Sequence, residues 1–319
     1  MTGFGARAAA VLDGPRPRRT STLAPVRSAF RRRAVAVGAT SLGVALLLTT
    51  AAAATSTTRT VTGGPVTVTV TVVSPDEAPP VKQGLHLTID RDGRRLFTSD
   101  AHRGCTFAGA SGCLLPEWTA SDPPVVVTDL DGDDEPEVLV TQFTGGANCC
   151  LVLSVFGLRR DAAGTPTGYR QHVVWTGHAG SVVRPLDGGP VIQTRDFRFE
   201  YRWASAVESY PPLRLMRFAG AGRGLVDATG EHLDLVRRER AVLHRRLPFY
   251  RHGRDRDARG LLAGWAADGY RLGLRHSTLH TLRTWATKRQ IFDTTVARNR
   301  AYVRQLDRTL IRWHFLPSR

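Results

Sequence analysis

"VVVTDLDGDDEPEVLV", Val125 to Val140, sets six carboxylates within the nine residues 129–137, between two runs rich in valine. "PVVVTDL" and "EVLVTQF" have the β-branched composition of strands, and Asp-Gly and Asp-Asp are turn formers. The stretch therefore reads as two strands joined by an acidic loop. Asp129, Asp131, Asp133 and Glu137 stand at loop positions 1, 3, 5 and 9, with Gly132 at position 4. Alternate side chains of a tight loop converge on one point, and glycine allows the positive φ such a turn often needs. Four carboxylates aimed at one point repel each other unless a cation lies between them. A donor set of oxygens alone, without His or Cys, selects a hard divalent ion. A tight, irregular loop suits Ca2+ better than Mg2+. The main-chain carbonyl of Glu135 completes the expected shell, and Asp134 faces solvent. An acidic turn without metal is the bland alternative, although a bare turn needs only two or three such residues.

Outward from the loop, strand-like runs recur with turn signals between them. "LHLTIDRDGRRLFTSD" reads as a hairpin about Asp92-Gly93, and "LVLSVFGLRR" with "YRQHVVWTG" as another across "DAAGTPTG". Further strands fall at "SVVRPL", "PVIQTRDFRFEYRW" and "LRLMRFAGAGRGLVDAT". The expectation is a mainly β fold of antiparallel, blade-like sheets over residues 83–230. After Gly230 the period becomes helical. Leu262, Trp265, Ala266 and Leu272 share one face, Leu279, Leu282 and Trp285 another. Val296, Val303, Leu306, Leu310 and Trp313 follow an N-cap candidate, Asp293. Residues 231–319 are thus a C-terminal α-helical region, with 20 Arg and Lys against 8 Asp and Glu.

The N-terminal part belongs to neither region. Arg31, Arg32 and Arg33 precede 25 uncharged residues, 34–58, which end in alanines and small polar residues. A basic segment, an apolar segment and A-x-A sites make residues 1–54 an export signal, either cleaved or kept as an anchor. The chain is then extracellular, or anchored on the outer face of the cytoplasmic membrane. Residues 55–82, Thr-rich and then Pro-bounded, read as a linker or a single exposed strand. Four cysteines, Cys105, Cys113, Cys149 and Cys150, fit two disulfides in an exported chain. Cys105 with Cys113 is favoured, and crossed pairing to Cys149 and Cys150 stays open.

The run "DLDGDDEPEVLV" resembles the calcium loop of FG-GAP/VCBS-type repeats. "DLDGDDEPEVLVTQFTGGANCC" resembles more specifically a group of secreted, largely actinobacterial proteins with a "TGGAHCC"-like segment after one such loop. The likeness extends over Leu85–Thr229 and into the helical tail. It implies a calcium loop and propeller-blade-like sheets, with no reaction attached. Asn148 stands where His is common. A second repeat near 184–190 keeps only Asp187 of the possible ligands, so one calcium site is expected. The span is too short for a closed propeller, so one or two blade-like sheets capped by helices are expected.

No nucleophile elbow, phosphate loop or dinucleotide fingerprint is present, and "GAGRG" (220–224) reads as a turn. His276 and His280 share a helix face but lack the Glu of a zinc-protease motif. No catalytic residue is assigned. The leading expectation is a non-enzymatic module binding an envelope protein or glycan. The alternatives are a secreted hydrolase using Asp196, Glu200 or Glu208, and an Arg-rich binder of anionic surface polymers. Nucleic acid is not an expected partner of an exported chain.

Overall fold

The computed structural model describes residues 55–74, 84–99, 115, 123–146, 149–252, 257–292 and 295–316. The export-signal segment, Cys105 and Cys113 lie outside them. Residues 51–319 form one compact unit.

Among the described residues twelve strands make three four-stranded sheets, each strand antiparallel to its neighbours. The first holds β1 (Thr55–Gly63), β2 (Val66–Ser74), β3 (Gly84–Arg91) and β4 (Arg94–Ser99) in that order. The second holds β5 (Val125–Thr128), β6 (Glu137–Gly146), β7 (Cys149–Arg160) and β8 (Pro166–Gly177). The third runs β12-β11-β10-β9, from β9 (Val182–Leu186), β10 (Gly189–Arg195), β11 (Leu213–Phe218) and β12 (Leu225–Asp227). Each is an up-and-down meander. "GAGRG" forms the single-turn helix α1 (Gly220–Arg223) ahead of β12. Four longer helices follow: α2 (Leu233–His252), α3 (Arg259–Arg271), α4 (Arg275–Thr287) and α5 (Val296–Arg312). The fold is thus mainly antiparallel β with a C-terminal helical region.

Period-2 patterning stacks the sheets face to face. On β2, Val66, Val68 and Val70 join Leu85, Leu87 and Ile89 of β3 against Val138, Val140 and Phe156 of the second sheet. The intervening Leu139, Leu153 and Val155 point the other way and pack on Ile192, Met216 and Phe218 of the third. The middle sheet is apolar on both faces, which explains why β7 reads as the nearly continuous run "LVLSVF". The far face of the third sheet, with Val191, Leu213 and Leu215, meets Leu235 of α2. Three blade-like sheets and a helical cap therefore follow one another in layers.

Two sequence expectations change here. The linker reading fails over 55–74, where β1 and β2 pair along their whole length. The "TVTVTV" alternation buries its valines on the second sheet and leaves threonines outside, with Thr58 and Thr71 hydrogen-bonded at 2.9 Å. Val supplies enough apolar surface for a strand that has one solvated face, so the absence of larger residues misled. That pair completes a third sheet, where one or two were expected. The remainder of the linker, 75–83, lies outside the described residues.

The helical core reaches back before residue 230. Phe199 and Trp203, from the loop after β10, pack with Tyr270, Leu306 and Phe315. At its centre α3 is buried from Gly260 to Tyr270, on all sides rather than on one face. Gly260 and Gly264 let it lie directly on the 208–210 backbone: a Cβ at Gly264 would sit 2.0 Å from the Tyr210 carbonyl oxygen. The expected N-cap Asp293 lies outside the described residues; Thr295 caps α5, accepting from the Arg298 amide. Among the described residues no helix is long and apolar enough to cross a membrane.

Candidate metal centre

The acidic loop joins β5 to β6, whose pairing of Thr128 with Glu137 closes it at the base. Its backbone is folded by its own carboxylates. Asp129 Oδ1 accepts from the amides of Asp131 (3.2 Å) and Gly132 (2.7 Å), and Oδ2 from that of Asp134 (3.1 Å). Asp133 Oδ1 accepts from the Glu135 amide at 2.9 Å. Gly132 has φ +82°, the left-handed conformation expected for it, and Asp134 adopts φ +65°. Asp tolerates that region better than most residues, because its short side chain bonds locally.

This wrapping gathers carboxylate oxygens of Asp129, Asp131 and Glu137 within 4.8 Å of one another, a group that could hold a metal ion. Glu137 is buried, and its Oε2 accepts from the Leu130 amide at 2.9 Å. Burial pushes its carboxyl up to about 8, against the pull of that amide, with Asp131, Asp133 and Asp129 adding to the rise. Asp131, although its side chain reaches solvent, is raised to about 6, first by partial desolvation within the loop and then by Asp133 and Asp129. Both shifts have one physical meaning: negative charge here is under-compensated by protein groups. A cation would supply what the loop lacks.

Of the expected ligands, Asp129, Asp131 and Glu137 come together as read. Asp133 is placed in the loop but outside that triad, with one oxygen committed to the Glu135 amide. Asp134 is exposed, as expected. Glu135 has a side-chain role that its sequence position did not suggest. Its carboxylate is buried and turned to Arg91 and Arg160. Arg91 Nε donates to both oxygens (2.9 and 3.1 Å), Arg91 Nη2 donates to Oε2 (2.9 Å), and so does Arg160 Nη2 (2.9 Å). The clamp joins β3 of the first sheet, the acidic loop and β7 of the second. Its partners lie 44 and 25 residues away, and no local spacing could have revealed them.

Asp187 of the degenerate repeat is exposed in the β9–β10 turn, beside Gly188 and Gly189 with positive φ. Among the described residues it belongs to no metal-competent group. The hydrolase candidates serve separate local contacts. Asp196 accepts from the Arg198 amide and guanidinium. Glu200 is buried and grips the His178 amide and Nδ1, each at 2.9 Å. Gly177 (φ +61°) leaves the space that grip needs. Glu208 accepts from Ser205 Oγ at 2.9 Å.

Of the cysteines, Cys149 opens β7 and Cys150 is buried, its amide bonded to Thr144 Oγ1. There is no free cysteine among the described residues. Thiol labelling of the native protein, prepared without reductant, is expected to modify none of the four, and non-reducing peptide mapping reads the connectivity. Any labelled cysteine contradicts the two-disulfide expectation. Comparison with protein-family models, with characterised proteins and with solved structures finds no significant match to this chain.

Proposed function

We propose that this is an exported, calcium-stabilised binding module of the cell envelope, related to FG-GAP/VCBS-type repeats and carrying no reaction of its own. One observation carries the reading: three carboxylates, one of them buried, lie within 4.8 Å in a loop that bridges two strands. All the donors are oxygen, which favours Ca2+ over zinc or copper. Asp133 and the Glu135 carbonyl are the further ligands proposed. The ion neutralises the loop and fixes the β5–β6 connection, so that the stacked sheets present their loops rigidly to an envelope protein or glycan. The blade-like stacking and the Arg31–Arg33 export signal support this placement.

Extracellular calcium modules bind at roughly 10⁻⁴–10⁻³ M. Free ion at ten times the dissociation constant adds about 1.4 kcal/mol of stability through linkage. Melting in calcium and in chelator should therefore differ by about 3–6 °C for a unit of this size. Asp131→Ala should remove the difference, and Asp187→Ala should leave it intact. Identical melting of wild-type protein in both conditions would reduce the loop to an acidic turn.

A further inference from the structure

The exposed side of α5 carries a row of arginines whose side-chain hydrogen bonding, Arg308 Nε to the Arg304 carbonyl at 3.3 Å, stays within the helix. Arg300, Arg304, Arg308 and Arg312 follow at four-residue spacing, and all four are exposed. Residues four apart share a helix face. Tyr302, Val303, Leu306 and Leu310 bury the opposite one. Like charges at i, i+4 oppose helix formation, so this row works against its own element. Among the described residues no carboxylate forms an ion pair with it. Of those in the helical region, Glu231 pairs with Arg217, Asp234 with Arg238, Glu239 with Arg195, Asp257 with Arg259 and Asp307 with Arg275. Asp268 is fully buried.

Apolar side chains sit among these cations. Ile311 lies within the row and is 40% exposed; Leu316, just beyond it, is 39% exposed. Leu274, 42% exposed, precedes Arg275, which holds Asp307 one turn before Ile311. Three of the eight exposed large hydrophobics among the described residues thus lie on or just after α5 or beside the α4 residue that pairs with it.

Guanidinium groups match phosphates, and isolated aliphatic side chains reach the acyl boundary beneath them. We propose that the outer face of α5 is a contact surface for a bilayer bearing anionic phospholipid headgroups. A soluble polyanion would use the arginines but has no use for exposed Ile311, Leu316 and Leu274, so the lipid surface is the better match. The proposal goes beyond the calcium reading and involves neither the acidic loop nor its ion.

Residues 51–319, which form one compact unit, are the species to test, which removes residues 34–50, the most apolar part of the uncharged stretch, as a source of membrane binding. Co-sedimentation in chelator with phosphatidylcholine vesicles, with and without phosphatidylglycerol, reads the contact. Wild-type protein should bind only the anionic vesicles. A basic residue at such a surface contributes about fivefold in partitioning. Arg300→Gln, Arg304→Gln, Arg308→Gln and Arg312→Gln together should therefore lower it by on the order of a hundredfold or more. The four Arg→Lys changes should keep most of it, and Ile311→Asn should weaken it severalfold. The Gln variant should melt at or above the wild-type temperature, because like-charge pairs are gone. Equal binding to neutral vesicles, undiminished binding by the Gln variant, or a Gln variant that melts lower overturns the proposal. So does binding to soluble polyphosphate as tight as to vesicles and indifferent to Ile311→Asn.

Discussion

Gly264→Ala should destabilise the protein by about 3 kcal/mol, the upper end of the range for overpacking. The sign is the informative part. In an exposed helix interior, alanine is favoured over glycine by about 1 kcal/mol. At Gly264 the added methyl would meet the Tyr210 carbonyl at 2.0 Å and its carbon at 3.2 Å, and backbone cannot rotate away as a side chain can. Helix α3 would have to lift from the 208–210 segment, which would loosen the contacts of Trp203 and Phe199 with the helical core. A melting-temperature fall of roughly 6–12 °C is expected for a unit of this size. An unchanged or raised melting temperature would mean that α3 does not pack on that backbone.

The second large effect is expected at Glu135. Replacing it with alanine removes the acceptor that Arg91 and Arg160 share, leaving Arg91 only Asp92 and Arg160 only the Gly164 carbonyl. Removing one member of a buried ion pair costs 3–5 kcal/mol. Here the arginine side chains are 22% and 41% exposed, so water recovers part of that. About 2–3 kcal/mol is expected, measured by urea unfolding. The variant should still respond to calcium, because Glu135 contributes a clamp rather than a side-chain ligand. Loss of stability together with loss of the calcium response would place its carboxylate on the ion instead.

These two positions show where the sequence was legible and where it was not. The acidic loop could be read because its geometry is local. Alternating Asp residues, a glycine at the positive-φ position and valine-rich flanks all act within a few residues, and Asp129, Asp131 and Glu137 converge accordingly. The hairpins at Asp92-Gly93 and across 161–165 were readable for the same reason. What escaped was non-local. Nothing near Glu135 announces Arg91 or Arg160, and nothing in "GLLAGWA" says that Gly260 and Gly264 face the backbone of Glu208 and Tyr210 far back in the chain. The "TVTVTV" strand was undervalued because its valines gain their burial only from a sheet that begins beyond residue 124. The arginine row of α5 was visible as composition, but only the packing of Tyr302, Val303, Leu306 and Leu310 puts it on one solvated face.

The central claim, that the Asp129–Glu137 loop is a calcium site, is tested most directly by titrating Ca2+ into metal-free protein in a calorimeter. One site per chain is expected, with a dissociation constant of roughly 10⁻⁴–10⁻³ M. It should be absent from Asp131→Ala and retained in Asp187→Ala. No binding to wild-type protein at millimolar calcium, or equal binding by Asp131→Ala, would contradict it.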